Sequence, residues 1–285
     1  MGTEARLSTG VQTCEFSTHN SDIIQLSAKH LDTGDTFSTY IRPAGGYIPP
    51  KITSITEITI RGEQMFYNMT PVESTDTLTG LSSFSEWLKK FNNPVLIAHN
   101  AAFDTRIILN SFLHCSVSHS HIHGFADSLK LCKEVFPGHS SYKLSAIIKD
   151  ILKQDFNAHN ANDDVAALAD LLQTVDDLPK KLQITLLQEA HNKLNKLKNE
   201  IEFLPTYDRY VNEKVLAKTT AKELAGTGLD GRLLQETYRC SGRDGLSELL
   251  RNRLVKSAKP ITNLSSYFES IYNSACSTAS HVQNV

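Results

Sequence analysis

Residues 94–104, PVLIAHNAAFD, compress a strand, a turn and the start of a helix into one short stretch. Pro94 to Ala98 is an apolar run of the length that makes a buried strand. From Ala102 to about Leu113 the apolar residues recur at helical spacing. The direct handover from strand to helix leaves His99 and Asn100 in the turn and Asp104 in the first helical turn. A carboxylate there is favoured by the helix dipole whether or not it does chemistry. The function of Asp104 therefore has to be argued from what other segments bring to it.

The segments on either side fix the fold class. Upstream, Gly10 to Phe16 is a short apolar run. Asp22 to Leu31 alternates, DTGD at 32–35 is a turn signal, and Thr36 to Arg42 alternates again, which predicts an antiparallel meander. Pro43 to Pro50 is a Gly/Pro loop, Ile52 to Thr59 is ambiguous, and Leu81 to Phe91 has helical spacing. Downstream, a short strand is expected over His121 to Ala126, with helices over Ser128 to Phe136, Tyr142 to Leu152 and Asp163 to Thr174. A meander followed by alternating β and α units implies an α/β fold, with a mixed sheet flanked by helices.

Pro179 reads as a boundary. Beyond it Leu182, Leu186, Leu194, Leu197 and Ile201 form one amphipathic helical stripe. The remainder reads as helical, broken at GTGLDG (226–231) and SGRDG (241–245). The expected organisation is a flexible N-terminus over 1–10, an α/β domain over 11–178, a helical C-terminal module over 179–275 and a flexible tail over 276–285. Charge divides along the same line, with a net of −7 over 1–178 and +5 over 179–285. An acidic front half suits a cation site, and a basic back half suits phosphate.

Hydrophobic residues make up 40% of the chain and charged residues 21%. Those are the proportions of an ordinary soluble globular chain. No apolar run approaches the ~20 residues of a membrane helix, so no membrane partner is expected. MGTEARLSTG lacks the apolar core of a secretory signal. The five scattered cysteines (14, 115, 132, 240, 276) include no CxxC pair, which suggests reduced thiols and an intracellular setting. Neither a P-loop nor a GxSxG motif is present, which removes support for a P-loop NTPase or a serine hydrolase.

Three separated segments carry residues suited to phosphodiester chemistry. TCEFS at 13–17 places residues 13 and 15 on one strand face. AHNAAFD at 98–104 supplies Asp104. HNANDD at 159–164 puts His159 in a loop and Asp164 at a helix start. Each alone reads equally well as a cap, an exposed strand residue or a solvated loop residue. A fourth stretch, HCSVSHSHIH at 114–123, places His119, His121 and His123 on one face if it is a strand, like a crude Zn²⁺ comb. The plainer reading is a polar loop entering a strand.

In their order and spacing, the three acidic segments resemble the DEDDh branch of the DnaQ-like, TREX-like 3′→5′ exonucleases. That branch has Asp-x-Glu on its first strand, an AHN-A-x-F-D segment, and a His followed after four residues by an Asp. SDIIQLSA (21–28), ADSLKL (126–131) and SSYKLSAI (140–147) also resemble family segments. The resemblance covers roughly residues 10–177. It implies a ribonuclease H-like fold with a C-terminal helical extension, and two-metal phosphodiester hydrolysis with Mg²⁺ or Mn²⁺. Carried over residue by residue, Glu15, Asp104 and Asp164 are the expected metal ligands. His159 is the expected general base, because an imidazole can take a proton at neutral pH. Thr13, Cys14, Phe16, His99, Asn100 and Phe103 are expected around the substrate, a nucleic acid with a free 3′ end, DNA rather than RNA.

The departure from the family lies in the first motif, where Thr13 stands in place of the aspartate. A neutral hydroxyl is a poor ligand for Mg²⁺, so one of the two ions should bind weakly. The run TCEFSTHNSDIIQLSA, the YK-x-L segment and LSSYFES at 264–270 are similar to the PML-like exonuclease-fold proteins, the group around the C-terminal region of promyelocytic leukaemia protein isoform I, in which nuclease motifs are often eroded. Two expectations follow: an exonuclease of reduced activity, or an inactive nuclease fold that binds nucleic acid or protein partners.

Overall fold

The computed structural model describes residues 4–14, 21–253 and 258–282, with side chains described as far as Asn273. Two compact units divide the chain, Met1–His191 and Asn192–Val285.

In the first unit, β1 (Arg6–Thr13), β2 (Ile23–His30) and β3 (Thr36–Ile41) form the expected antiparallel meander. After α1 (Pro50–Thr56) the chain makes a small antiparallel sheet of β4 (Ile58–Arg61), β5 (Gln64–Tyr67) and β6 (Thr70–Val72). There follow β7 (Ser74–Thr75), α2 (Thr77–Leu88), β8 (Val95–Ala98), α3 (Ala102–His114), β9 (Gly124–Asp127), α4 (Ser128–Val135), α5 (Leu144–Leu152), α6 (Ala161–Gln173), α7 (Leu178–Lys181) and β10 (Ile184–Leu186). The main sheet runs β10-β9-β8-β1-β2-β3-β7. It is mixed, as expected: β8 is parallel to β1 and to β9, and β2 is antiparallel to β1.

β1 lies in the middle and is buried along most of its length. Its polar residues are satisfied from within: Ser8 Oγ donates to the Val165 carbonyl at 2.9 Å. A Cβ added at Gly10 would lie 3.3 Å from the Val165 side chain. Glycine, with no Cβ, lets α6 press close onto β1. That close approach brings the first turn of α6 to the end of β1.

Three expectations are corrected here. β1 begins at Arg6, inside the stretch expected to be a flexible N-terminus, because Leu7 is fully buried and Arg6–Ser8 pair with β8. The strand expected at 121–126 begins only at Gly124, so His119, His121 and His123 do not share a strand face. The apolar residues from Leu182 onward do not form one helical stripe. Leu182 is buried among Val95, Ile97 and Leu178, and Ile184–Leu186 pair with β9. That pairing covers what would otherwise be an open sheet edge. The first unit accordingly continues to His191, past the expected boundary at Pro179.

α8 (Leu187–Phe203) leads to a 3₁₀ turn (Leu204–Tyr207), α9 (Asp208–Asn212), α10 (Lys218–Gly226), α11 (Gly231–Asn252) and α12 (Ala258–Val282). The second unit has a core of its own around Leu224, Leu234, Leu250, Leu264 and Phe268. Both expected glycine breaks occur. GTGLDG links α10 to α11, and Gly242 interrupts α11 with φ 60°. GTGLDG also spells GxGxxG, but it joins two helices instead of a strand to a helix. It therefore lacks the context of a dinucleotide loop. Tyr207 and Tyr210 donate their hydroxyls to the carbonyls of Leu229 and Gly231, pinning this link. No helix among the described residues is long and apolar enough to cross a membrane.

Candidate active site

The site gathers at the last residues of β1. Asp104, in the first turn of α3, accepts a hydrogen bond from the backbone N–H of Val11 at 3.3 Å. Asp164, in the first turn of α6, accepts from the side-chain amide of Gln12 at 3.2 Å. Two carboxylates 60 positions apart in sequence thus dock on consecutive residues of one strand. Thr13 follows them, buried, at a register shift between β1 and β2. Glu15 and Phe16 lie outside the described residues.

The local structure that holds Asp104 comes from the AHN turn. Asn100 adopts φ 67°. This is a left-handed conformation that asparagine tolerates better than most residues. Its N–H donates to Asp127 Oδ1 at 3.0 Å, and the same oxygen caps α4 through Leu129 N–H. Asp127 therefore ties the end of β8 to the end of β9. This bracing role was not read from the sequence, although ADSLKL marks the position. His99 is committed on both ring nitrogens. Its Nε2 donates to the Tyr142 carbonyl at 2.7 Å, and its Nδ1 faces the Ser128 hydroxyl at 3.0 Å. Burial, the main influence, holds the imidazole below its usual range.

His159 sits in the loop before α6, exposed, with φ 74°. Its backbone N–H donates to Asp164 Oδ1 at 3.3 Å, and Asn160 caps the helix through Asn162 N–H. The loop is tethered again at Asn157, whose amide donates to the Tyr67 hydroxyl of the small sheet at 2.7 Å. Sequence reasoning missed Gln12, because it meets its partner only through the tertiary fold.

Burial pushes the Asp104 carboxyl up to about 7 and the Asp164 carboxyl up to about 6. Desolvation is the leading cause in both, with repulsion from Asp164 and Asp127 adding to the shift at Asp104. Desolvation makes ionising this pair costly without a cation beside it, and its donors are hard oxygens. A hard divalent cation fits that donor chemistry. Among the described residues, no group of three His, Cys, Asp or Glu side chains is arranged around one point.

Of the residues expected near substrate, Asn100 is exposed, and half-buried Phe103 has the Arg106 guanidinium 5.4 Å from its ring centre. Cys14 is buried beside Ile24, Ile52 and Met65, with Sγ 3.8 Å from the Tyr47 carbonyl.

The exonuclease family model (RNase_T) matches residues 9–172, more than half of the chain. The chain belongs to this exonuclease family. A second model, for the C-terminal domain of PML, matches residues 204–271. A PolC-type DNA polymerase III of Clostridium perfringens is 32% identical over 170 residues, which is 57% of this chain and 10% of that protein. The 3′-5′ exonuclease DinG of Staphylococcus aureus is 24% identical over 259 residues, 89% of this chain and 25% of that protein. The chain thus spans a quarter or less of these relatives.

Among solved structures, the nuclease domain of 3′hExo, a DEDDh family member bound to rAMP, aligns with TM-score 0.50 at 17% identity, covering 64% of this chain and 96% of that one. E. coli Exonuclease I in complex with a dT13 oligonucleotide aligns with TM-score 0.51 at 17% identity, covering 63% of this chain and 42% of that one. These likenesses establish the ribonuclease H-like exonuclease fold.

Proposed function

We propose that the chain is a metal-dependent 3′→5′ exonuclease whose site is weakened at the first motif. The observation that carries this reading is the meeting of Asp104 and Asp164 on Val11 and Gln12, with the His159 loop bonded to Asp164. Asp104 and Asp164, with Glu15, would hold Mg²⁺ or Mn²⁺. Such ions supply charge stabilisation for the scissile phosphate and a more acidic water. The chain's own part is to position. β1 and the first turns of α3 and α6 fix the carboxylates, and His159, exposed beside Asp164, accepts the proton of the attacking water on its imidazole. The family relatives and the fold support a nucleic acid with a free 3′ end as substrate; the preference for DNA over RNA is part of the proposal.

Thr13 takes one negative charge out of the constellation. Loss of one preorganised electrostatic group costs on the order of 10²–10³ in rate. The deciding experiment measures release from 3′-labelled single-stranded DNA against Mg²⁺ and Mn²⁺, with native protein and Asp164→Ala. Metal-dependent cleavage that disappears in Asp164→Ala supports the reading. No cleavage with either metal sinks it.

A second reading is a nuclease fold kept for binding nucleic acid or a protein. Two observations favour it: a buried neutral threonine where the family has an acid, and the Gln12 amide resting on Asp164. The match to the PML C-terminal domain supports a place among the PML-like exonuclease-fold proteins under either reading.

A further inference from the structure

Away from the carboxylates, the first unit has an open groove of about 880 Å³ between the end of α3, the 117–123 segment and the start of α8. Four histidines line it: His119, His121, His123 and His191. The sequence pattern would set the first three on one strand face, but the structure sends them apart. His123 Nε2 pairs with Glu4 Oε1 at 3.2 Å. His121 Nε2 is enclosed and makes no hydrogen bond. His119 turns to His191, 72 positions later, and their Nε2 atoms stand 3.0 Å apart.

The His119 ring is held for this encounter. Its Nδ1 lies 3.0 Å from the Val117 carbonyl, which can only accept, so Nδ1 carries the proton. In the neutral ring Nε2 can then only accept, so the proton between the two rings is donated by His191 Nε2. Its face lies on Phe112, with centroids 5.2 Å apart and planes 19° apart. The loop itself is pinned by Ser85 Oγ donating to the Ser118 carbonyl at 2.6 Å. A backbone carbonyl holding the far nitrogen is how metal-bound histidines are oriented.

We propose that His119 and His191 form a two-imidazole site for a borderline divalent transition ion of the Zn²⁺ or Cu²⁺ class. Two nitrogens bound tetrahedrally at ~2.0–2.1 Å stand about 3.3 Å apart. To admit the ion the pair needs an opening of a few tenths of an ångström, and the His191 Nε2 proton must leave to solvent as the metal binds. Imidazole nitrogen selects such ions, whereas the carboxylate pair selects Mg²⁺ or Mn²⁺, so the two sites divide metals by chemistry. No third His, Cys, Asp or Glu completes the site among the described residues. The remaining coordination positions open to the groove, for water or a small ligand. The ion would clamp the 117–123 segment to the first turn of α8. This inference does not depend on nuclease activity.

The test uses the full chain after chelator treatment. Cu²⁺ is followed by electron paramagnetic resonance and Zn²⁺ by calorimetry, in native protein, His119→Gln, His191→Gln and the double variant Asp104→Asn/Asp164→Asn. The native chain should show one Cu²⁺ coupled to two nitrogens. Either histidine variant should weaken binding by at least about 10-fold, the usual scale even for an outer-shell loss, and the carboxylate variant should retain it. Oxygen-only coordination in the native chain, or histidine variants that titrate like native, would overturn the proposal. If a histidine variant does not fold, diethylpyrocarbonate labelling of native protein decides. Zn²⁺ must protect His119 and His191, and an absence of protection refutes the site.

Discussion

Gln12 donates its side-chain amide to Asp164 Oδ2 across 3.2 Å, from the strand position immediately before Thr13. Under the proposed exonuclease reading, the first motif then differs in two ways from a site ready for cations. It lacks a charge at Thr13, and it holds one remaining carboxylate in a protein hydrogen bond. A hydrogen bond to a charged group is worth about 1.5–3 kcal/mol, and a metal must displace or share it.

Gln12→Ala should free that oxygen. The expected result is a several-fold tighter Mn²⁺ affinity by calorimetry, together with a loss of about 1.5–3 kcal/mol of metal-free stability. Unchanged Mn²⁺ affinity would show that the amide does not compete with the ion.

The raised carboxyls set a pH dependence. An acid whose folded value lies above its unfolded value stabilises the fold below the unfolded value, and that contribution is lost as pH rises through the folded value. For Asp104 this window runs from the ordinary 3.8 up to about 7. For Asp164 it runs from 3.8 to about 6. The metal-free protein should therefore melt at higher temperature at pH 5 than at pH 8. Asp104→Asn should raise the melting temperature at pH 8 and flatten the profile, by on the order of 1–3 kcal/mol. Excess Mn²⁺ should flatten it as well, by favouring the ionised pair. A native profile that is already flat without metal would contradict the raised values of these two carboxyls.

The Tyr67–Asn157 bond predicts a role for the small sheet. Tyr67→Phe removes the hydroxyl that Asn157 reaches across 90 positions. Because the contact is exposed, global stability should fall by less than ~1 kcal/mol. Local amide exchange over 157–160 should quicken, and cleavage, where measured, should fall in kcat more than in KM. Unaltered exchange in that loop would remove Tyr67 from its support.

Much of this arrangement is legible in the sequence because it is local. The handover at PVLIAHNAAFD places Asp104 in the first turn of α3, and HNANDD places Asp164 at the start of α6, where the structure has them. What was not legible depends on distant partners. Gln12 reads as one more polar residue on a strand until α6 arrives, and His191 reads as a helix surface residue until His119 turns toward it. β4, β5 and β6 are three or four residues long, too short for alternation to stand out. β10 was absorbed into a helical stripe because three residues, Ile184–Leu186, do not distinguish the two periods.

The missing acid gives the sharpest test. Thr13 is 5% exposed and follows the residues that carry Asp104 and Asp164. Thr13→Asp adds a third carboxyl to a half-buried pair whose values are already raised, so the metal-free variant should be destabilised at pH 8 and recover at pH 5, the same direction as above. Mn²⁺ or Mg²⁺ should restore its stability more than it stabilises the native chain, because binding to the folded state alone adds to stability in proportion to the logarithm of metal over Kd. If the proposed exonuclease reading is right, the variant should also cleave faster than native in Mg²⁺, by up to the ~10²–10³ ascribed to one preorganised charge, and adding His159→Ala should take that gain away. A variant that gains metal-dependent stability but no cleavage would separate the two readings: the carboxylates hold a cation, yet the fold serves binding. A variant with no gain in metal-dependent stability would mean that Thr13 does not face the ions at all, and the weakness of the site would have to be sought in Gln12.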